Sequence, residues 1–116
     1  WSYGALYYMV WEPYDTTVAS IAAGRSDAYI TRVARQVRAL NQPVAISFGH
    51  EFNGYWYPWG TTATTAADFV AAWRLIHRLF AEADRLLYAA KHSGRDCMVT
   101  DRWQQSDRPV IGAAAA

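Results

Sequence analysis

Gly49-His50-Glu51-Phe52-Asn53-Gly54-Tyr55-Trp56-Tyr57-Pro58-Trp59-Gly60 is the stretch from which the rest of this chain can be read. Its twelve residues hold a histidine, one of the chain's three glutamates, an asparagine and, from Tyr55 to Trp59, four aromatics. It follows Pro43-Val44-Ala45-Ile46-Ser47-Phe48, a short apolar run that reads as a buried strand. A carboxylate at the C-terminal end of a strand, followed by a tryptophan-rich loop, suits the cleavage of sugars. Glu51 can donate or accept a proton, and flat aromatic faces can stack on pyranose rings.

Working upstream, Ala5 to Trp11 is a near-continuous apolar run rich in β-formers, as expected of a strand covered on both faces. Glu12-Pro13 ends it, because proline cannot extend a central ladder. Asp15-Thr16-Thr17 can cap a short helical turn from Val18 to Ala23, stopped by Gly24. Ser26 or Asp27 then opens a helix to about Leu40. Ile30, Val33, Val37 and Leu40 fall on one stripe, and Arg32, Arg35 and Arg38 fall away from it. Downstream of the aromatic loop, Thr61 to Thr64 reads as spacer. Thr65-Ala66-Ala67-Asp68 is placed to cap a helix running at least to Ala83, with Phe69, Trp73, Ile76 and Phe80 on its apolar side. Asp84 to Lys91 could prolong that helix, with Gly94 as a stop. The division expected is residues 1–83 as one structural segment and 84–116 as a divergent, irregular tail.

Strand, helix, strand, helix with short connections calls for a parallel sheet with crossover helices. In such architectures the C-terminal ends of the strands open on one face, where active sites collect. Trp11-Glu12 and His50-Glu51 are therefore expected together.

At 116 residues there is room for one compact domain, and 53% hydrophobic content allows it a sizeable core. The net charge of +1 and the scatter of the arginines at helical spacing argue against a nucleic-acid surface. No apolar run reaches the roughly 20 residues of a membrane span. The single cysteine, Cys97, excludes an internal disulfide. No second histidine or acid sits at ligand spacing from His50, so neither a metal nor a cofactor is expected. His77 and His92 read as incidental, and no protein partner is evident. A start at Trp1 and an end in Ala113-Ala116 look like a piece of a longer protein.

His50-Glu51-Phe52-Asn53-Gly54 with Trp56-Tyr57-Pro58-Trp59 resembles the signature of glycoside hydrolase family 26, mainly endo-β-mannanases with some β-glucanases and β-xylanases. The resemblance extends upstream through Pro43 to Phe48, the helix entry Ala23 to Ile30 and Trp11-Glu12-Pro13, and downstream to about Ala83. It implies a TIM barrel, of which about three βα units are present here, and hydrolysis with retention by two glutamates. Glu51 matches the acid/base at the end of the fourth barrel strand. His50 matches a histidine of the glycone pocket, and Trp56 an aromatic of the sugar site. Trp59, Trp11 and Glu12 complete the substrate-binding set on the same face, with loop packing the plainer role for both Trp56 and Trp59. The implied ligand is a β-linked polysaccharide or oligosaccharide, and the full-length protein is expected to be secreted.

A retaining site needs a second carboxylate about 5–5.5 Å from the first. The resemblance puts that nucleophile on the seventh barrel strand, beyond these residues. The expectation is therefore a fragment of a retaining mannanase-like enzyme, inactive alone. The alternative is a non-catalytic carbohydrate-binding remnant or an inactive truncated gene product.

Overall fold

The computed structural model describes residues 6–92, which run in the order β1 (Tyr7–Trp11), α1 (Val18–Ala22), α2 (Asp27–Ala39), β2 (Val44–Phe48) and α3 (Ala66–His92). β1 and β2 pair in parallel, with Tyr7 opposite Val44, Met9 opposite Ile46 and Trp11 opposite Phe48. The strands finish level. The Gly49 N–H carries the ladder one residue further by donating to the Trp11 carbonyl at 2.9 Å. Trp11-Glu12 and His50-Glu51 thus leave the sheet at the same end. Among the described residues the architecture is a small mixed α/β unit with two parallel strands.

Side chains alternate across a strand, so each pairing assigns residues to faces. Trp11 meets Tyr29 of α2 and Phe80 of α3 at ring separations of 5.9 and 6.0 Å, and Phe48 stacks on Phe69 at 5.6 Å. Met9 and Ile46 share that helix-covered face, while Tyr8 and Val10 turn to the other. There Tyr8 is 67% and Val10 45% exposed. The expectation of a strand covered on both faces is therefore not met by the described residues, which supply helices on one side only.

Each helix has a local cause. The Thr17 side chain caps α1 by accepting the Ser20 N–H at 3.1 Å. Asp27 in the first turn of α2 and Arg38 in its last complement the helix dipole. Asn41 ends that helix in the left-handed region at φ +52°, and its side-chain oxygen accepts from Arg38 at 3.3 Å. Thr65 accepts the Asp68 N–H at 3.1 Å and donates to the Asp68 carboxylate at 2.7 Å, so the anticipated cap of α3 forms.

The buried stripes differ from those read off the sequence. On α2, Ile30 and Ala34 are buried, whereas Leu40 lies past the helix end and is exposed. On α3, Phe69, Ala72, Ile76, Leu79, Ala83 and Leu86 alternate in steps of three and four residues along the buried side. Trp73 is 41% exposed on the outside. Small Ala72 and Ala83 lie on the buried side of α3, which packs on α1 and α2, and the bulky indole one position on from Ala72 is turned away. The stripe continues past Ala83 to Leu86, and α3 runs to His92, the prolongation through Asp84 to Lys91 that the sequence allowed, so the irregular reading does not hold for residues 84–92. Arg38 also meets Asp84 across α2 and α3 in a partly exposed ion pair, worth at most about 1 kcal/mol. Residues 93–116, with Cys97 and the expectations about the rest of the tail, lie outside the described residues.

Candidate functional site

Gly49 turns the chain out of β2. Its φ of +57° lies in the left-handed region, and an added Cβ would stand 3.0 Å from the Phe69 ring and 3.2 Å from Trp59. Only glycine fits both the angle and the space. Two residues on, Glu51 holds φ +51° although it carries a side chain. Such a conformation costs on the order of 1 kcal/mol or more in an ordinary residue, and survives only where the surroundings over-determine it.

The surroundings are built from the loop itself. Gly54 N–H donates to the Glu51 carbonyl at 2.8 Å, and Thr61 N–H donates to the Gly54 carbonyl at 2.8 Å. The Thr61 hydroxyl reaches the same carbonyl at 3.2 Å, and the Thr62 hydroxyl reaches the Tyr55 carbonyl at 3.2 Å. The threonines expected to be spacer are braces. Gly54 also makes room for Trp56, since a Cβ there would come 2.5 Å from the indole.

Two clusters result. In the outer one, the Trp56 indole N–H donates to Glu51 Oε2 at 3.0 Å, and Tyr55 stands edge-on to Trp56 at 5.1 Å. Trp56 is 58% exposed, so it offers open ring surface beside the carboxylate. In the inner one, His50 joins the two strand ends. Its Nδ1 lies 2.7 Å from Glu12 Oε1, a close electrostatic contact outside hydrogen-bonding alignment, and its Nε2 lies 3.0 Å from the Tyr57 hydroxyl. Loss of solvation, followed by the negative charges of Glu51, Tyr14 and Glu12, pushes the Tyr57 phenol above its ordinary pKa. A phenol is protonated at neutral pH in any case, the upward shift extends that state into more alkaline solution, and the O–H is available to donate to His50.

Trp59 underlies the inner cluster. Its indole N–H donates to the His50 carbonyl at 2.8 Å, Tyr57 stacks on it at 4.6 Å with 6° between the rings, and Tyr14 meets it edge-on at 4.9 Å. At 1% exposure it has no open face for a sugar. Its place among the substrate-binding residues is corrected to that of a packing anchor, because both sides of the ring are already occupied by protein.

The sequence-derived residues thus divide. Glu51 and Trp56 come together at the rim, and His50 and Glu12 pair beside them. Trp11 turns to the helices, against Tyr29 and Phe80, rather than into the group around Glu51. Tyr57 and Tyr14 were not singled out from the sequence. Tyr57 lay in plain view in the aromatic run, and a phenol seven residues from a histidine across a tight loop is a signal for it. Tyr14 carries no such signal, because its contact with Trp59 joins two segments distant in sequence. Among the described residues no three histidine, cysteine or acidic side chains gather as a metal-binding group.

No protein-family model matches the sequence. Over 81 residues the chain is 35% identical to Endoglucanase H of Acetivibrio thermocellus, an alignment covering 66% of this chain and 9% of that protein. The chain spans less than a tenth of that relative's length. The comparison supports a glycosidase-like relationship for a chain whose strand-end glutamate stands beside an exposed tryptophan.

Proposed function

We propose that this chain is part of a retaining glycoside hydrolase of the family 26 type, with Glu51 as its general acid/base. In this reading β1 and β2 are neighbouring strands of a TIM barrel and the Glu51 end is its catalytic face. One observation carries the proposal. Glu51 is held at a strand end in a strained backbone conformation, with one carboxylate oxygen fixed by the indole of an exposed tryptophan. The other oxygen is left to give a proton to a departing glycosidic oxygen and later to take one from water. Trp56 supplies an apolar face for a sugar ring, and the His50–Glu12 pair supplies polar groups for its hydroxyls. The nucleophile belongs to a later strand of the complete enzyme, so the 116 residues alone bind weakly and do not cleave.

The substrate is a β-linked hexose polysaccharide, β-1,4-mannan by the motif resemblance. The relative's name favours a second reading, β-glucan. Such polymers lie outside cells, so the complete protein is secreted. Among the described residues no helix is long and apolar enough to cross a membrane. A non-catalytic sugar-binding remnant is the competing role, and the open faces of Tyr55 and Trp56 would serve it equally well.

Leaving-group dependence separates these roles. In the complete barrel, Glu51→Gln should abolish turnover of mannan and of glycosides with poor leaving groups. The bond-cleaving step with activated aryl leaving groups, which need little protonation, should lose far less. Equal losses on both would remove Glu51 from the acid/base role, and undiminished binding with no turnover by the wild-type barrel would favour the remnant. Mannan and glucan side by side settle the substrate. The 116-residue chain should release no reducing sugar from mannan, glucan or xylan.

A further inference from the structure

A cavity of about 290 Å³ lies at the C-terminal end of β1, lined in part by Glu12 but by neither Glu51 nor Trp56. Its apolar wall is formed by Trp11, Ile21, Ile30, Phe48 and Ile76, drawn from both strands and all three helices. Its polar lining is Glu12, Asp15, Thr16, Ser26 and Tyr29. Among the described residues these polar groups are nearly unspent. Glu12 uses Oε1 on His50, Ser26 makes no side-chain cap to α2, and the Asp15, Thr16 and Tyr29 side chains have no hydrogen-bond partner among the described residues. An apolar wall with a few convergent polar groups is the usual make-up of a small-molecule site.

The lining also selects a ligand class. Among the described residues it holds two carboxylates and three hydroxyls and no lysine or arginine, so it repels anions and has acceptors in excess. An ammonium group would satisfy one carboxylate, or both, from a single atom. It could not reach hydroxyls distributed around the wall. A pyranose has an apolar C–H face and hydroxyl donors spaced around its ring, which matches the wall and the polar lining together. The volume sits at the lower limit of the roughly 300–1,000 Å³ typical of ligand pockets, enough for one ring and not for a length of chain.

We propose that this cavity is a second carbohydrate site, taking a single pyranose from a chain end or a branch, and linked to the Glu51 site through Glu12. The proposal rests on the glycan reading given above. Glu12 is the link because its Oε1 faces His50 while Oε2 remains for a sugar hydroxyl. Occupation of the cavity is then felt at His50, and through it at Tyr57.

The test is a ¹H–¹⁵N titration of the 116-residue chain with free mannose, glucose and galactose, and with benzylamine as the cationic alternative. One hexose should saturate in the millimolar range, shifting the amides of Asp15, Thr16, Ser26 and Tyr29 and moving the His50 ring signals in step. Asp15→Asn and Ser26→Ala should each weaken that binding, the former by roughly tenfold, since its lost bond involves a charge. Asp15 is exposed and Ser26 half-buried, and neither belongs to the core. Trp56→Ala should leave the cavity titration unchanged. Hexoses that shift only Tyr55, Trp56 and Glu51 would overturn the cavity site and leave the glycan reading standing. Silence at both places towards every hexose would overturn both, and saturation by benzylamine alone would reassign the cavity to an organic cation.

Discussion

Trp56 and Trp59 lie three residues apart in one loop, yet the first is 58% exposed and the second 1%. Both donate an indole N–H, Trp56 to the Glu51 side chain and Trp59 to the His50 backbone. The pair shows how the loop divides its labour. Trp59 holds the backbone of the strand end in place, and Trp56 holds the Glu51 carboxylate while its own ring stays exposed. A side-chain acceptor can rotate to exchange its donor, whereas a backbone acceptor under a stacked ring cannot.

Removing the anchor should have the largest effect. Trp59→Ala opens a cavity under Tyr57 and Tyr14 and leaves the His50 carbonyl without its donor, so a loss of about 3–5 kcal/mol is expected in urea denaturation. Trp56→Ala should cost less than about 0.5 kcal/mol in the same measurement, because an exposed ring away from the core contributes little to stability. It should nevertheless weaken oligosaccharide binding. Similar stability losses for the two would erase the distinction between anchor and rim.

The next effect tests the turn that sets both clusters. Gly49→Ala forces a Cβ against Phe69 and Trp59 at φ +57°, and about 1–3 kcal/mol should be lost. Glu51→Gly should do the opposite, raising stability by up to about 1 kcal/mol because the left-handed conformation is relieved. A carboxylate whose removal stabilises the fold is the mark of a site kept at the expense of stability. Thermal melts of the two variants that shift in the same direction would contradict the strained-turn account.

The smallest effect is electrostatic. The raised Tyr57 pKa means the folded chain keeps its phenolic proton at a pH where the unfolded chain has lost it. Its stabilising contribution is therefore complete below the ordinary tyrosine pKa of about 10 and is lost as pH rises through the raised value. Near-ultraviolet titration should show one late tyrosine, and Tyr57→Phe should remove it and flatten the alkaline fall in stability. A late phase that persists in Tyr57→Phe would assign it elsewhere.

Much of this organisation was legible in the chain. The parallel pairing of β1 with β2 followed from two apolar runs of strand length joined by a short helical turn and one longer amphipathic helix. Thr65 and Asp68 announced the start of α3, and the juxtaposition of Glu12 with His50 followed from strand ends on a common side. Those inferences depend on short-range periodicity and on a topological rule, both of which are written in sequence order.

Tertiary structure alone decided which tryptophan faces solvent, because Trp56 and Trp59 have the same local composition and differ only in what arrives beside them. Tyr14 comes from the other strand end to close over Trp59, which Tyr57 also covers face-on, whereas the only rings meeting Trp56 among the described residues are those of its loop neighbours Tyr55 and Tyr57, edge-on. The turning of Trp11 towards α2 and α3, and the replacement of Trp73 by Ala72 on the buried side of α3, have the same origin. Apolar periodicity locates a buried face to within about one position, or 100° of helix. Which residue fills the centre is settled by how closely the neighbouring elements approach, and that distance is a property of the packed fold.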